Sequence, residues 1–306
     1  MAGFARRSRP TTPGHRPGRS TNHRSSKDDS STTPSAPALL KPTDIKPMAS
    51  EAEVSRLRIS LDYGTKTIAA AILVVQPGDE PDPGDVHTVQ LGEETHWAPQ
   101  VAAWDKDGNF YWGDEVRFAI NDKKLKAGDV IELWKMLLYE SMATSVVAQR
   151  VRQQLAERTL DDLLTTHFQA ILEKVKIWVK TSSPEFDAMP VQLFLSVPQM
   201  WKAPANRKMT IAAKRAGIEH VELVYEPQCA AGYFTGNIKN QAPSWLDKGD
   251  VLLVADVGGG TGDFVSFEYE SSSRDGAKVR LRTVGEPEGE CVRSQYHPEH
   301  NTNTNL

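Results

Sequence analysis

Three successive glycines and a threonine, at 258–261, lie between two acids, Asp256 and Asp263, with strand-like apolar runs on both sides. The glycines at 258–260 carry no Cβ, so the backbone N–H groups there can approach an anion closely. Thr261 adds a hydroxyl, and the two carboxylates can hold Mg2+ through water or orient an attacking water. These residue types in this order predict a site for a phosphate group and its metal ion.

The same layout occurs a second time, nearer the start of the chain. Asp62 ends a strand-like run, and Gly64 and Thr65 form the turn that follows it. Lys66 comes next, before the apolar run 68–75. A single glycine-rich turn is more often an ordinary hairpin than a ligand site. Two hairpins of one design, far enough apart for an α/β lobe to lie between them, favour a nucleotide site with two walls.

The elements around these turns indicate an α/β fold. Residues 86–112 are predicted to be β structure, with a hairpin tip at 108–109. Apolar side chains recur at helical spacing over 159–180, which predicts a long amphipathic helix with His167 at its surface. The segment 134–139 is predicted to be a buried amphipathic turn. A strand layer followed by helices is typical of one α/β lobe.

The first 50 residues differ from the rest of the chain in composition. They hold nine Arg or Lys side chains against three acids, whereas the whole chain of 306 residues has a net charge of -4. This segment is rich in Ser, Thr and Pro, so it cannot bury enough apolar surface to fold alone, and we expect a disordered basic tail over 1–50. Pro10, Pro13 and Pro17 would interrupt the amphipathic helix of an organelle transit peptide, which favours a solvated tail.

Several classes of function find no support in the sequence. No apolar run reaches the ~18 residues of a membrane span, so no membrane partner is expected. The seven tryptophans follow no repeat on which bases could stack, so no specific nucleic-acid partner is expected either. The P-loop pattern and the nucleophile elbow of α/β-hydrolases do not occur. Two cysteines are too few for a disulfide framework or a Cys-ligated zinc site, which predicts an intracellular, cytoplasmic protein.

Four short segments, in the right order, resemble a known family. Residues 62–65 and 256–263 resemble the first and second phosphate loops of the actin-like ATPase superfamily. Residues 192–198 resemble its strand ending in Val-Pro, and 221–233 resemble its connecting strand and helix with a Glu-Pro-x-x-Ala-Ala signature. Within the superfamily, the chain is similar to the nucleotide-binding domain of the 70-kDa heat-shock chaperones and their divergent fungal relatives over 58–289.

The resemblance implies an actin-like, ribonuclease H-like α/β fold that binds ATP or ADP with Mg2+. It assigns the nucleotide contacts to Asp62, Gly64, Thr65, Lys66, Asp256, Gly258, Gly259, Gly260 and Thr261. Asp62 and Asp256 would hold Mg2+ through water. Arg117 and Glu226 would flank the attacking water, and Asp263 would position metal or water, so these three residues are the predicted catalytic groups.

Two residues depart from the family's pattern. Lys66 stands where the chaperones carry a second threonine, which replaces a hydroxyl near the phosphates with a cation. Arg117 stands where they carry a lysine, and a planar guanidinium is not equivalent to the point charge of an ammonium. A non-hydrolysing pseudo-ATPase or interaction protein therefore stays open as an alternative, and so does a sugar or acetate kinase of the same superfamily.

The resemblance also sets expected domain boundaries. The first lobe is expected over 51–245, and the opening strands of the second lobe over 246–289, with a turn at 285–289. No apolar period follows, so 290–306 is expected to be a disordered tail. In the family the second lobe continues here, so we expect a truncated form. ATP hydrolysis would belong to a longer parent protein, through which unfolded clients or co-chaperones would also be bound.

Overall fold

The structure is a computed structural model that describes residues 2–7, 55–78, 83–182, 189–236, 246–272 and 279–291. The strands are β1 (Ala2–Arg7), β2 (Arg56–Tyr63), β3 (Thr67–Val75), β4 (His87–Thr88), β5 (Trp97–Pro99), β6 (Val101–Trp104), β7 (Phe110–Trp112), β8 (Ile131–Glu132), β9 (Val191–Val197), β10 (His220–Tyr225), β11 (Val251–Val257), β12 (Thr261–Ser272) and β13 (Val279–Cys291). The α-helices are α1 (Asp114–Asn121), α2 (Val146–Leu155), α3 (Leu160–Ser182), α4 (Ala203–Arg215) and α5 (Glu226–Gly236). The protein is therefore mixed α/β. None of the described helices is long and apolar enough to cross a membrane.

The largest sheet has the strand order β10-β9-β2-β3-β4, with β5 also paired to β3. β2 and β3 form an antiparallel hairpin, whereas β9 and β10 run parallel to β2 and β9 respectively. Parallel neighbours require crossover connections, and here α3 precedes β9 while α4 joins β9 to β10. Alternate residues of β2 are buried and pack with residues of α3 and α4, so the other face of β2 is left for the site.

Helix α3 supplies a large part of the core beside this sheet. Its buried side chains recur at the predicted helical spacing: Leu163, Leu164, Phe168, Ile171, Leu172, Val175 and Val179. Thr159 caps the helix, because its hydroxyl accepts a hydrogen bond from the N–H of Asp162 at 3.1 Å and its own N–H donates to the Asp162 carboxylate at 2.9 Å. The predicted surface position of His167 is wrong. His167 is fully buried, since side chains three and four residues apart share one face of the helix.

The second sheet has the strand order β1-β11-β12-β13, with antiparallel neighbours throughout. Helix α5 covers one of its faces, where Ala231 packs with Val254, Val265 and Phe267. On the opposite face, Leu253 and Phe264 are exposed. The described part of this sheet is thus buried on one side only.

The predicted turn at 285–289 is wrong, because β13 continues through it to Cys291. A register shift between Phe264 and Ser266 lets β13 stay paired with β12, and it brings Gly289 opposite Asp263. The glycines and the proline of this segment suggest a turn when read alone, but pairing with β12 outweighs that local signal. The remainder of the predicted disordered tail, 292–306, lies outside the described residues.

Strand β1 comes from the segment for which disorder is predicted. It pairs antiparallel with β11, with Ala2 opposite Asp256 and Arg7 opposite Val251. Without it, that edge of β11 would present unpaired backbone N–H and C=O groups, and backbone pairing of this kind depends little on side chains. Composition therefore carries no signal for the strand. The rest of 1–50 lies outside the described residues.

A third, smaller sheet has the order β7-β6-β8. The hairpin tip predicted at 108–109 is confirmed, since β6 and β7 are antiparallel and Gly108 adopts a φ of +85°. The carboxylate of Asp105 accepts the backbone N–H of Asn109 at 2.9 Å, which closes the turn. Helix α1 follows, and its Val116 packs with Ala103 of β6.

Candidate functional site

The two glycine turns predicted from the sequence meet at one cavity of about 550 Å³. Its walls come from the ends of β2 and β11, the start of α5 and the 3-10 turn Trp134–Leu138. The predicted site residues that line it are Asp62, Gly64, Thr65, Lys66, Asp256, Gly258, Gly259, Thr261 and Glu226. Because these residues converge from distant parts of the chain, the cavity is the candidate functional site.

Glycine is required where the two loops touch. A Cβ on Gly260 would lie 2.7 Å from Cγ2 of Thr65, and a Cβ on Gly259 would lie 2.5 Å from Cγ of Lys66. Both distances are shorter than real Cβ contacts, so any side chain at 259 or 260 would push the loops apart. Gly258 differs, because a Cβ there would meet nothing nearer than 3.7 Å. The glycines at 259 and 260 therefore set the spacing between the loops.

Three carboxylates collect at the cavity. Asp62 and Asp256 lie near the ends of β2 and β11, and Glu226 begins α5. Partial burial raises the pKa of Asp256, and the negative charge of Asp62 adds to the rise. Burial also raises the pKa of Glu226, with further contributions from Asp62 and Asp256. A cation among these carboxylates would offset the repulsion that raises the pKa of Asp256 and Glu226, so this wall suits a metal ion or an ammonium group.

Lys135 supplies such an ammonium group, and sequence reasoning missed it. Its side chain is 2% exposed, and its Nζ donates to Oε1 of Glu226 at 2.9 Å. The same Nζ lies 5.2 Å from the ring centroid of Trp201, within the range of a cation–π contact. The predicted buried turn at 134–139 is confirmed as the 3-10 turn Trp134–Leu138. A lysine inside that apolar run is the signal that could have identified it.

Two further cavity residues were not singled out from the sequence. Ser196, in β9, donates a hydrogen bond from its hydroxyl to Oδ1 of Asp62 at 3.1 Å. No local pattern marks Ser196, because its partner belongs to a different strand. Cys229 lies three residues after Glu226 in α5, so both side chains point to one side of the helix, which is a detectable spacing. Cys229 is exposed as a residue, but partial burial and the nearby charge of Asp62 raise the pKa of its thiol, which keeps it protonated.

Asp263 lies behind the second loop and does not line the cavity. It stands opposite Asp256 in the β11–β12 register, and its side chain is buried. Burial raises the pKa of Asp263 to about 6, while backbone N–H groups of Met200 and Gln199 oppose the rise. Its Oδ1 is buried without a hydrogen-bond partner among the described residues. Asp263 is therefore placed to support the second loop from behind rather than to contact a ligand.

Arg117, the third predicted catalytic residue, is not brought to the cavity. Its guanidinium pairs with the carboxylate of Glu93 at 3.0 Å, and both side chains are about half exposed. It also lies 4.7 Å from the ring centroid of Phe118. The physical reason is the orientation of α1, which buries Val116 and Ala119 and turns Arg117 to solvent. Lys135 is the buried cation that the cavity has instead.

Mg2+ at this site would take most of its ligands from phosphate and water. Among the described residues, no three His, Cys, Asp or Glu side chains lie close enough together to hold a metal ion by themselves. Mg2+ usually keeps several waters and binds one or two carboxylates with the substrate's phosphates. Asp62 and Asp256 fit that requirement, because both line the cavity and their charges repel.

Comparisons with known proteins add no relative. Scanned against models of protein families, the chain matches none, and a search of curated proteins returns no match. The geometry of the cavity, together with the resemblance of four short segments, therefore carries the functional argument.

Proposed function

We propose that this chain binds ATP or ADP with Mg2+ between its two glycine loops, as a nucleotide-binding domain of the 70-kDa heat-shock chaperone type. One observation carries the proposal: the loops at 62–65 and 256–263, each marked as a phosphate site by residue type alone, line a single cavity with Glu226. The cavity volume of about 550 Å³ lies within the range of small-molecule and cofactor sites. Hairpins formed for unrelated reasons would not be expected to face each other in this way.

The fold that goes with this function is an actin-like ATPase with one lobe and the opening strands of a second. Support comes from a repetition within the chain. In β2-β3 and again in β11-β12, an antiparallel hairpin has an acid near the end of its first strand and a glycine turn before its second. Two copies of this layout at one cavity would suit a phosphate chain bound between two lobes.

Within the site, the phosphates would lie against the glycine loops, where backbone N–H groups are not covered by side chains. Lys135 would contribute a point positive charge and hydrogen bonds to phosphate oxygens. The resemblance assigned that role to Arg117, and the position of Lys135 in the cavity wall favours the lysine. Mg2+, when bound, neutralises charge on the phosphates. Asp62 and Asp256 would hold its water ligands.

Glu226 separates hydrolysis from simple binding. Hydrolysis needs a carboxylate that orients the attacking water. Oε1 of Glu226 accepts a hydrogen bond from Lys135, and this ion pair lowers the basicity of the carboxylate that would accept a proton from the attacking water. This contact favours the second candidate, a protein that binds nucleotide without hydrolysing it. Hydrolysis would require Lys135 to turn from Glu226 to the phosphate.

Equilibrium binding of a fluorescent ATP analogue, with and without Mg2+, tests the proposal. We expect Mg2+-dependent binding that Gly259→Ala weakens about tenfold or more, which corresponds to ~1.4 kcal/mol. Gly128→Ala is the control, because its added Cβ would meet nothing within 4 Å and the residue does not line the cavity. Wild-type protein that shows no Mg2+-dependent binding would overturn the proposal.

A single-turnover assay on the same protein then separates the two candidates. Release of phosphate from bound ATP supports the ATPase. Retention of intact ATP over the lifetime of the complex supports the binding-only protein. Glu226→Gln is the informative variant, since it should abolish turnover in the ATPase and leave a binding-only protein's ATP occupancy nearly unchanged.

A further inference from the structure

Three buried side chains, here called the buried triad, are joined by hydrogen bonds directly behind the candidate site. Tyr63, Trp134 and His167 are each 0% exposed. Nε1 of Trp134 donates to the hydroxyl of Tyr63 at 3.0 Å, and that hydroxyl lies 2.8 Å from Nδ1 of His167. Tyr63 directly follows Asp62, and Trp134 directly precedes Lys135. The buried triad therefore joins the backbone of the first phosphate loop to the backbone that carries Lys135.

An indole can only donate, so the direction of one of these hydrogen bonds is fixed: the Tyr63 oxygen accepts from Trp134. Between the Tyr63 hydroxyl and Nδ1 of His167, the donor depends on the imidazole tautomer. Burial lowers the pKa of His167 to about 3 and raises the pKa of Tyr63, so both groups stay neutral near neutral pH. The imidazole also makes edge contacts with the rings of Trp112 and Trp134, each at 5.2 Å between centroids.

The turn that carries Lys135 has a strained backbone. Leu133, which precedes the turn, adopts a φ of +59°, in the left-handed region that is disfavoured for a residue with a Cβ. Such a conformation persists only when surrounding contacts determine it. The hydrogen bond from Trp134 to Tyr63 follows immediately and is fully buried. Beyond it, the turn directs Lys135 to Glu226 and brings Met136 against the second loop, where its sulfur would be 3.0 Å from a Cβ on Gly260.

We propose that Tyr63, Trp134 and His167 are positioning residues that hold Lys135 and the first phosphate loop in a fixed relation. His167 acts through the Tyr63 hydroxyl, not on a ligand. The consequence for nucleotide binding rests on the proposed function. The positioning of Lys135 and the first phosphate loop depends only on contacts within the protein. If the hydroxyl is removed, the turn loses the contact that opposes its strain, and Lys135 leaves its place beside Glu226.

The first arm of the test compares Tyr63→Phe with Phe168→Leu by amide hydrogen exchange. Tyr63→Phe removes both hydrogen bonds and keeps the ring. Phe168 is equally buried and stacks on Tyr63 at 5.2 Å between centroids, so its substitution perturbs the packing of Tyr63 and removes neither hydrogen bond. The reporters are the amides of Met136 and Tyr139, which bond to carbonyls within and beside the turn. We expect exchange there about tenfold faster in Tyr63→Phe, beyond any change in global stability, and not in Phe168→Leu.

The second arm tests rescue at position 167. The side-chain amide of Asn can accept or donate a hydrogen bond near the place of Nδ1, whereas Leu can do neither. His167→Asn should keep the turn's exchange within about threefold of wild type, while His167→Leu should accelerate it, by less than Tyr63→Phe does, because the Trp134–Tyr63 hydrogen bond remains. Equal acceleration in Tyr63→Phe and Phe168→Leu, or in the two His167 variants, would overturn the proposal and show a merely structural core.

The third arm measures affinity for the fluorescent ATP analogue with Mg2+. We expect Tyr63→Phe to weaken binding about tenfold and Phe168→Leu to leave it nearly unchanged. Unchanged affinity in Tyr63→Phe, despite faster exchange, would overturn the proposal that the buried triad affects nucleotide binding. A wild type that binds no nucleotide would overturn the proposed function instead, and the exchange results would still decide the positioning.

Discussion

The two hairpins that meet at the cavity carry similar chemistry on different supports. β2 lies between β3 and β9, and its inner face packs against α3 and α4. Asp62, near its end, accepts a hydrogen bond from Ser196 of the parallel neighbour. β11 has β1 on its outer edge, and opposite Asp256 stands Ala2. The two loops are therefore more alike in the residues that would contact a ligand than in the strands and helices that support them.

The difference extends to the sheet faces. Both sheets bury one face, but their outer faces differ: β2 places Ser60 and Asp62 there, whereas the second sheet places Leu253, Val257 and Phe264, which are between 37% and 47% exposed. Chemistry at a loop depends on a few residues, but the precision of that chemistry depends on how rigidly the loop is held. We therefore expect substitutions on the buried face of the first sheet to affect stability more than substitutions on the outer face of the second.

The largest expected effect comes from a matched pair of leucines. Leu195, in β9 beside β2, is fully buried, while Leu253 in β11 is 37% exposed. Leu195→Ala should lower the free energy of unfolding by about 2–5 kcal/mol, because it leaves a cavity in the core. Leu253→Ala should change it by less than about 0.5 kcal/mol. Urea unfolding of both variants measures the contrast, and equal losses would show that the second sheet is as well supported as the first.

Opposite pH dependences should separate the two regions next. The pKa of His167 is lowered from 6.5 to about 3, so between these values the unfolded chain binds a proton that the folded chain does not, and stability rises with pH. The pKa of Asp263 is raised from 3.8 to about 6, so the folded chain binds the extra proton, and stability falls as pH rises. In wild type the two effects oppose each other between pH 4 and 6.

Substitution of either His167 or Asp263 should leave the other residue's effect on the pH dependence of stability unopposed. Asp263→Asn should make stability rise more steeply with pH, and His167→Asn should make it fall, each by up to about 1.4 kcal/mol per pH unit. Unfolding free energies at pH 4, 5 and 6 provide the measurement. Parallel pH profiles for wild type and both variants would mean that neither group is buried as the structure has it.

A smaller effect is expected where the two loops meet. A Cβ on Gly260 would lie 2.7 Å from Cγ2 of Thr65, so Gly260→Ala should lower the free energy of unfolding by about 1–3 kcal/mol through overpacking. Thr65→Ser removes that methyl group. The double variant should recover part of the loss, which a double-mutant cycle would measure as coupling between the loops. Strict additivity would contradict the close approach of the two turns.

What could be predicted from the sequence was local. The glycine turns, the hairpin tip at Gly108 and the apolar face of α3 each follow from residues that are near one another in the chain. Lys135 and Ser196 were missed because their partners, Glu226 and Asp62, belong to other elements. Strand β1 had no signal, since a sheet edge recruits backbone rather than a side-chain pattern.

Predictions for His167 and Arg117 show where reasoning from neighbouring residues in the sequence fails. His167 is polar, and its place on the buried face of α3 is explained only by Tyr63, whose hydroxyl lies at 2.8 Å. Arg117 was assigned from its spacing after Gly113 and Asp114, but spacing does not specify which face of α1 it occupies. The face is set by burial of Val116 and Ala119, which leaves Arg117 beside Glu93.

The smallest effect follows from that placement. Arg117→Ala removes a pair whose side chains are 45% and 53% exposed, so the free energy of unfolding should change by no more than ~1 kcal/mol. Affinity for the ATP analogue should be unchanged in Arg117→Ala and in Arg117→Lys, whereas Lys135→Met should weaken it. A tenfold loss in Arg117→Ala that Arg117→Lys restores would instead place a cation from α1 at the nucleotide. The region that carries β2 and α1 would then have to close over the ligand. Rigid support would not be the feature that distinguishes this region from the β11 region.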